Sequence, residues 1–174
     1  MKIKKSTHSS LAYITHAGVI AAVYAALTLV LQPLSFGVFQ IRIAELLTVL
    51  PVYTPAAVPG LTVGCFLSNL VGLSAGANPA GGWDLLFGSA ATAVAAWVTR
   101  KWGTARVHGL PLWSTLPPVV INALVVGTEL FLVYGGLPWW LHVAAVAGGQ
   151  AVACVGCGLL LAAALEKTGV AKRL

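Results

Sequence analysis

The sequence predicts an all-α integral membrane protein: one bundle of six transmembrane helices with both termini in the cytoplasm. Of the 174 residues, 59% are hydrophobic and only 8% are charged, whereas soluble domains carry about 25% charged residues. A bilayer core about 30 Å thick needs roughly 20 apolar residues per helix, so the chain could cross about six times. We expect a single domain over 1–174, with a basic N-terminal segment (1–10), a helical bundle (11–165) and a cytoplasmic tail (166–174). This plan leaves no extramembrane domain for catalysis.

Six apolar stretches are separated by turn-forming residues. The first is expected to end at Gln32-Pro33, because proline breaks the helical hydrogen-bond ladder. Thr54-Pro55 and Pro59-Gly60 separate the second stretch from the third, and short, broken helices of this kind usually border a cavity. We expect the spans at about Leu11–Leu34, Ile43–Tyr53, from Pro59-Gly60 to Leu73, Asp84–Val98, Pro117–Tyr134 and Trp139–Leu165.

The positive charge indicates how the chain is oriented. The formal net charge is +6, and six basic residues cluster at the two ends of the chain: Lys2, Lys4, Lys5, Lys167, Lys172 and Arg173. Terminal clustering of this kind argues against a nucleic-acid partner. With a cytoplasmic N-terminus, the loop from Arg100 to His108 falls on the same side, and every Lys and Arg except Arg42 then lies inside.

Four ionisable residues converge on the outer side in this topology. Arg42 and Glu45 lie at the outer start of the second span, Asp84 at the start of the fourth, and Glu129 in the outer part of the fifth. Ionisable groups inside a membrane cost several kcal/mol and persist mostly where they pair, face water or bind a ligand. Three acids and one arginine cannot all pair one to one, so we expect a ligand site here.

Each of these residues also has a purely structural interpretation, except one. Arg42 and Glu45 are three residues apart on a helix and could form an ion pair. Asp84 could cap the start of its helix. Glu129 lies among apolar residues in mid-helix, where capping is not possible, so a functional role is the better explanation.

Further polar and aromatic residues lie near this cluster. Asn122 comes two helical turns before Glu129, so both could face one cavity. Trp83, Trp139 and Trp140 lie near the outer boundary, where tryptophan either forms an interfacial belt or stacks on a ligand. No pair of histidines has metal-ligand spacing, so no metal is expected.

Small residues recur every four positions along the first span and predict close helix contact. They could pack inside the bundle or dock a partner subunit. Gly60-x-x-x-Gly64 is a similar motif, which we assign to packing inside the bundle. The two rows of the first span are Ala17, Ala21 and Ala25, and Gly18, Ala22 and Ala26.

Several stretches, taken in order, carry a resemblance to a known family. They are Phe36–Arg42, Glu45–Pro51, Pro59–Leu61 through Asn69, Asp84–Gly88, Leu116–Pro118 through Asn122, and Glu129-Leu130. In this order and spacing the chain resembles the QueT-type substrate-binding S components of energy-coupling factor transporters, which are associated with uptake of queuosine precursors. The similarity extends over nearly the whole chain.

The resemblance implies a six-helix S component in a prokaryotic cytoplasmic membrane that captures its substrate outside. It further implies a transmembrane coupling subunit and two cytoplasmic ATPases as partners. The chain has no Gly-x-x-x-x-Gly-Lys-Ser/Thr loop, so ATP and Mg would belong to those partners and no cofactor to this chain. The small-residue rows of the first span would then be the coupling surface.

A queuosine precursor is a 7-deazaguanine with adjacent N1–H and N2–H donors. Glu129 or Glu45 could accept both with one carboxylate, and Asp84 would suit a cationic aminomethyl group. For the ring carbonyl, the candidate donors are three residues: Arg42, Asn122 and Asn69. Either Trp83 or Trp139 could cover the flat ring.

Three alternatives remain open from the sequence. The same architecture could bind another small vitamin-like or purine-like compound. The chain could instead be a self-sufficient secondary carrier whose intramembrane acids relay protons. An intramembrane enzyme is disfavoured, because the sequence contains no paired acids on one helix, no histidine ligand set and no Gly-x-Ser-x-Gly motif.

Overall fold

The structure, a computed structural model, describes residues 4–37, 40–78, 80–103, 106–107, 109–172 and 174, with side chains from residue 10 onward. Within these ranges every regular element is a helix. Five residues that bear on the predicted charge distribution or the resemblance lie outside the described residues: Lys2, Val38, Phe39, His108 and Arg173. The side chains of Lys4 and Lys5 are not described.

The described residues form a bundle of seven α-helices with several 3₁₀ and π segments. The α-helices are α1 (Lys4–Val30), α2 (Gln32–Ser35), α3 (Ala57–Ser74), α4 (Ser89–Trp102), α5 (Leu116–Tyr134), α6 (Trp139–Gln150) and α7 (Gly158–Lys167). The 3₁₀ segments are Ile43–Val52, Leu112–Thr115 and Val170–Lys172, and the π segments are Asp84–Gly88 and Ala151–Cys157. The predicted break at Gln32-Pro33 falls at Leu31, and Pro33 lies in the first turn of α2. Thr54-Pro55 precedes α3 as predicted, whereas Pro59-Gly60 lies inside α3 and does not interrupt it, so that predicted break was wrong.

Within the described part of the chain, four helices are long and apolar enough to cross a membrane: Ser10–Val30, Ala57–Ser74, Leu112–Tyr134 and Trp139–Lys167. A shorter apolar helix covers Ile43–Val52. In 3₁₀ form its ten residues extend only about 20 Å, less than the bilayer core. The chain is thus an all-helical membrane protein, whereas the six-span count and the orientation of the termini remain predictions.

The 3₁₀ helix Ile43–Val52 forms the centre of the bundle. It packs against α1, α4, α7 and the π segment before α7, and most of its side chains are buried. Around it, α1 packs along α3, α5 packs along α6, and α4 contacts both α3 and α5. A 3₁₀ run longer than four residues is uncommon, and here it carries polar side chains into the interior.

Two glycines of α3 allow α1 to approach closely. A Cβ added at Gly60 would lie 2.8 Å from the Ala17 carbonyl oxygen, and one at Gly64 would lie 2.8 Å from the Ala21 carbonyl oxygen. This confirms that Gly60-x-x-x-Gly64 packs inside the bundle. Burial divides the two rows of small residues on α1: Ala17, Ala21 and Ala25 are buried or half-buried, whereas Gly18, Ala22 and Ala26 are exposed.

Gly64→Ala is expected to destabilise the protein by about 1–3 kcal/mol, because the new methyl group would overlap the backbone of α1. Gly18→Ala is the matched control: its Cβ would meet nothing within 4 Å, so the higher helix propensity of alanine should make it neutral or stabilising. Thermal unfolding of both variants in the same detergent checks this. Equal unfolding temperatures for the two variants would contradict the close approach of α1 and α3.

Candidate functional site

Three segments bring the four predicted ionisable residues together. The 3₁₀ helix carries Glu45, with Arg42 at its N-cap position. The π segment Asp84–Gly88 carries Asp84, and α5 carries Glu129. All four residues are at least 94% buried, so their pairing determines what the site can bind.

Arg42 pairs with Asp84. Its Nη2 donates to Asp84 Oδ2 at 2.8 Å, and Asn78 Nδ2 donates to the same oxygen at 2.9 Å. Asn69 Nδ2 donates to the Asp84 main-chain oxygen at 2.8 Å. The absence of a side chain at Gly88 leaves room for the carboxylate, since an added Cβ would overlap Asp84 Oδ1.

Two sequence-based interpretations of these residues were wrong. The three-residue spacing of Arg42 and Glu45 suggested an ion pair, but Arg42 has an extended backbone (φ −84°, ψ 90°) before the helix begins. Its side chain therefore reaches across to Asp84 rather than along the helix. The Asp84 carboxylate accordingly accepts from Arg42 and Asn78, and no side-chain capping bond is formed at the start of its helix.

Glu45 is held by α1. Tyr24 Oη donates to Glu45 Oε1 at 2.5 Å, and both side chains are almost fully buried. The second carboxylate oxygen, Oε2, has no hydrogen-bond partner among the described residues. Asn122 lies next to this carboxyl and donates through Nδ2 to Gln150 Oε1 at 3.3 Å.

Glu129 is the acid that none of these contacts neutralises. It is 6% exposed, and neither of its carboxylate oxygens has a hydrogen-bond partner among the described residues. It lies within electrostatic range of Asp84 and Arg42. A buried carboxylate without a partner is costly, so this position is suited to a ligand that supplies donors.

Glu129 lines a cavity of about 620 Å³ between the π segment and α5. Of the described residues that line the cavity, Glu129 is the one that carries a charge, and the other lining residues are mostly apolar. The Trp83 and Phe87 rings stack at one side, with centroids 5.6 Å apart and an interplanar angle of 19°. The remaining lining residues are Leu124, Val125, Thr128, Leu132 and Val133.

The predicted site residues divide into a lining set and a supporting set. Glu129 and Trp83 line the cavity. Trp139 does not line the cavity, but its indole N–H donates to Oγ1 of the lining residue Thr128 at 2.9 Å. The residues of the buried polar cluster do not line the cavity: Arg42, Glu45, Asn69, Asp84 and Asn122.

Sequence reasoning missed Tyr24, Asn78 and Gln150. Each is a polar residue that hydrogen-bonds a predicted site residue: Tyr24 and Gln150 do so from other helices, and Asn78 does so from the loop six residues before Asp84. Gln150 could have been found as a lone amide within an apolar run, because such groups seek partners in a membrane. Tyr24 and Asn78 carry no comparable signal. Among the described residues, no group of three His, Cys, Asp or Glu side chains could hold a metal ion.

Comparison with known proteins gives one match. The model of a family described as QueT transporter matches residues 14–167, which contain every residue of the buried polar cluster and of the cavity. No curated protein and no solved structure matches the chain.

Proposed function

Because the chain belongs to the QueT transporter family, we propose that it is the substrate-binding S component of an energy-coupling factor transporter and captures a queuosine precursor. Membership of this family points to a transporter component rather than an enzyme. The observation that carries the proposal is Glu129, a buried carboxylate with two unpaired oxygens at the wall of a cavity of about 620 Å³. Cavities of roughly 300–1,000 Å³ are typical of small-molecule sites.

The chemistry of a 7-deazaguanine matches this wall. Its adjacent N1–H and N2–H groups would donate to the two oxygens of Glu129, forming charge-assisted bonds in an apolar setting. Its flat ring would pack against the Trp83–Phe87 pair. A cationic aminomethyl substituent would be attracted to the same end of the bundle, where acids outnumber Arg42.

The other acids have different roles in this proposal. Arg42 neutralises Asp84, and Tyr24 occupies one oxygen of Glu45. These residues, with Asn69, Asn122 and Trp139, therefore position the elements that form the cavity wall.

Direct contact with the ligand is assigned to Glu129 and Trp83. Another purine-like or vitamin-like compound with the same pair of donors is the alternative ligand, and competition between such compounds separates the two.

We further propose six crossings of a prokaryotic cytoplasmic membrane with both termini inside. The 3₁₀ helix Ile43–Val52, which is too short to cross alone and would need its flanking residues, and the helical segment from Asp84 to Trp102 would supply the two crossings beyond the four long helices. Trp83 and Asp84 lie at this segment's start, while Arg100 and Lys101 lie at its end. The charge bias therefore supports a cavity that opens outside.

Transport in this proposal requires a transmembrane coupling subunit and two ATPases, which bind ATP and Mg. We expect uptake of labelled precursor only in vesicles that contain this chain together with the coupling subunit and ATPases, with ATP inside. Uptake by this chain alone, driven by a proton gradient, would contradict the proposal and favour a secondary carrier.

Ala22→Leu is expected to lower this uptake at least tenfold while ligand affinity stays unchanged. Ala22 lies in the exposed row of α1 with Gly18 and Ala26, where small residues permit close contact with another helix. Ala144→Leu on α6 is the matched control, since it enlarges an alanine that is also exposed but lies on another helix. If both variants transport normally, the exposed row of α1 is not the coupling surface.

A further inference from the structure

A second cavity lies at the far end of α4 from the first. It measures about 530 Å³ and is lined by Val52, Trp97, Arg100, Lys101 and Gly103. Both charged residues among them are cations, so the cavity, here called the basic cleft, has a positive potential. A Cβ added at Gly103 would lie 3.4 Å from the Val52 Cα, so the end of α4 meets the end of the 3₁₀ helix here.

The cations of the basic cleft have no carboxylate partner among the described residues. The chain contains four acids; Glu45 and Asp84 belong to the buried polar cluster, and Glu129 lines the first cavity. The fourth acid, Glu166, pairs with Arg106 and accepts a hydrogen bond from the Tyr53 hydroxyl. Arg100 uses Nη1 to donate to the Pro51 main-chain oxygen at 3.2 Å, which leaves most of its five N–H donors for another acceptor.

Aromatic and apolar side chains extend from the basic cleft along α4. The Lys101 ammonium lies 3.7 Å from the centroid of the Trp97 ring. Val94, Trp97 and Lys101 follow at spacings of three and four residues, so they share one helix face. Val94 is 51% exposed and Trp97 is 52% exposed. In a membrane protein such a face meets lipid acyl chains.

We infer that the basic cleft binds the phosphate headgroup of an anionic phospholipid, with the acyl chains along the Val94–Trp97 face of α4. The phosphate oxygens accept from the Arg100 guanidinium and the Lys101 ammonium, and basic pockets between transmembrane helices are suited to such headgroups. Favourable interaction with the helix dipole explains cations in the last turn of α4, but it does not explain the adjoining cavity or the exposed tryptophan. The inference requires only that the chain spans a membrane and is independent of the substrate.

Continuity with the apolar face favours a lipid over an acidic protein segment. A soluble acidic peptide would cover the two charges and leave the exposed Trp97 and Val94 side chains unused. A phospholipid can contact both the cations of the basic cleft and the apolar face of α4. Its headgroup and acyl chains meet at the membrane interface, where tryptophan is enriched.

Native mass spectrometry tests this inference. Protein in a neutral detergent is titrated with dioleoyl phosphatidylglycerol or dioleoyl phosphatidylcholine. We expect retention of phosphatidylglycerol and a loss of affinity on the order of 10- to 30-fold in Arg100→Gln/Lys101→Gln. The control Lys167→Gln/Lys172→Gln removes the same charge from exposed positions and should bind like wild type. In phosphatidylcholine, the wild type and both double variants should have the same unfolding temperature. This comparison distinguishes a loss of lipid binding from a loss of folding.

Equal retention of the two lipids, or an equal loss in both double variants, would overturn the inference. Inorganic phosphate should not displace the lipid, because it lacks acyl chains; full displacement by phosphate would make the cleft a free-anion site. A polyglutamate peptide bound more tightly than phosphatidylglycerol would make it a protein-docking site, which also contradicts the lipid assignment.

Discussion

Glu129→Gln is expected to weaken binding of queuine by about 100-fold. The substitution keeps the size of the side chain but replaces a charged two-oxygen acceptor with an amide that offers one oxygen and two donors. Hydrogen bonds to charged groups contribute about 1.5–3 kcal/mol each. A loss of about 3 kcal/mol in binding free energy raises the dissociation constant about 100-fold. The amide donors would also face the N–H groups of the ligand.

Isothermal titration calorimetry of the detergent-solubilised variant measures this loss. Glu166→Gln is the matched control, because it makes the same chemical change in an acid that pairs with Arg106 far from the cavity; its affinity for queuine should equal that of wild type. We expect the folded state of Glu129→Gln to be at least as stable as wild type, since an unpaired buried carboxylate is removed. Unchanged affinity for queuine in a folded Glu129→Gln protein would show that Glu129 does not contact the ligand.

Asp84→Asn is expected to destabilise the protein by about 3–5 kcal/mol, because it leaves the buried Arg42 charge uncompensated. The pair is almost fully buried, so solvent cannot replace the lost carboxylate. Asn78 would also lose a charged acceptor. Unfolding in detergent, followed by the loss of helical circular dichroism, measures the effect.

A double-mutant cycle shows whether the pair causes this loss. Arg42→Met/Asp84→Asn removes both charges, so it should be more stable than Asp84→Asn alone. The change in unfolding free energy of the double variant, minus the sum of the changes in Arg42→Met and Asp84→Asn, gives the coupling energy. Additive single effects would show that Arg42 and Asp84 do not interact and would contradict the arrangement of the polar cluster.

Hydrophobic composition and proline positions were sufficient to predict an all-helical membrane protein and most breaks between its helices. They did not predict that Ile43–Val52 adopts a 3₁₀ form, because that conformation depends on packing against the segments around it rather than on local sequence. They also did not predict the π segments that adjoin α4 and α7.

The site residues divide in the same way. Glu129 was identified because an acid in an apolar run needs a partner or a ligand, and this argument requires no knowledge of its neighbours. The partner of Arg42 was not predictable, since Asp84 is 42 residues away in sequence, whereas Glu45 is near. Tyr24 reaches Glu45 across the α1 interface, and nothing in the local sequence of either residue indicates that contact.

The central claim is that the cavity beside Glu129 binds a queuosine precursor, and direct titration tests it. Purified wild-type protein in detergent is titrated with queuine and with its aminomethyl precursor in a calorimeter, with adenine as a ligand that lacks the adjacent N1–H and N2–H donors. We predict saturable one-site binding of at least one deazaguanine and no binding of adenine. A well-folded protein that binds neither deazaguanine, or binds adenine equally well, would contradict the account.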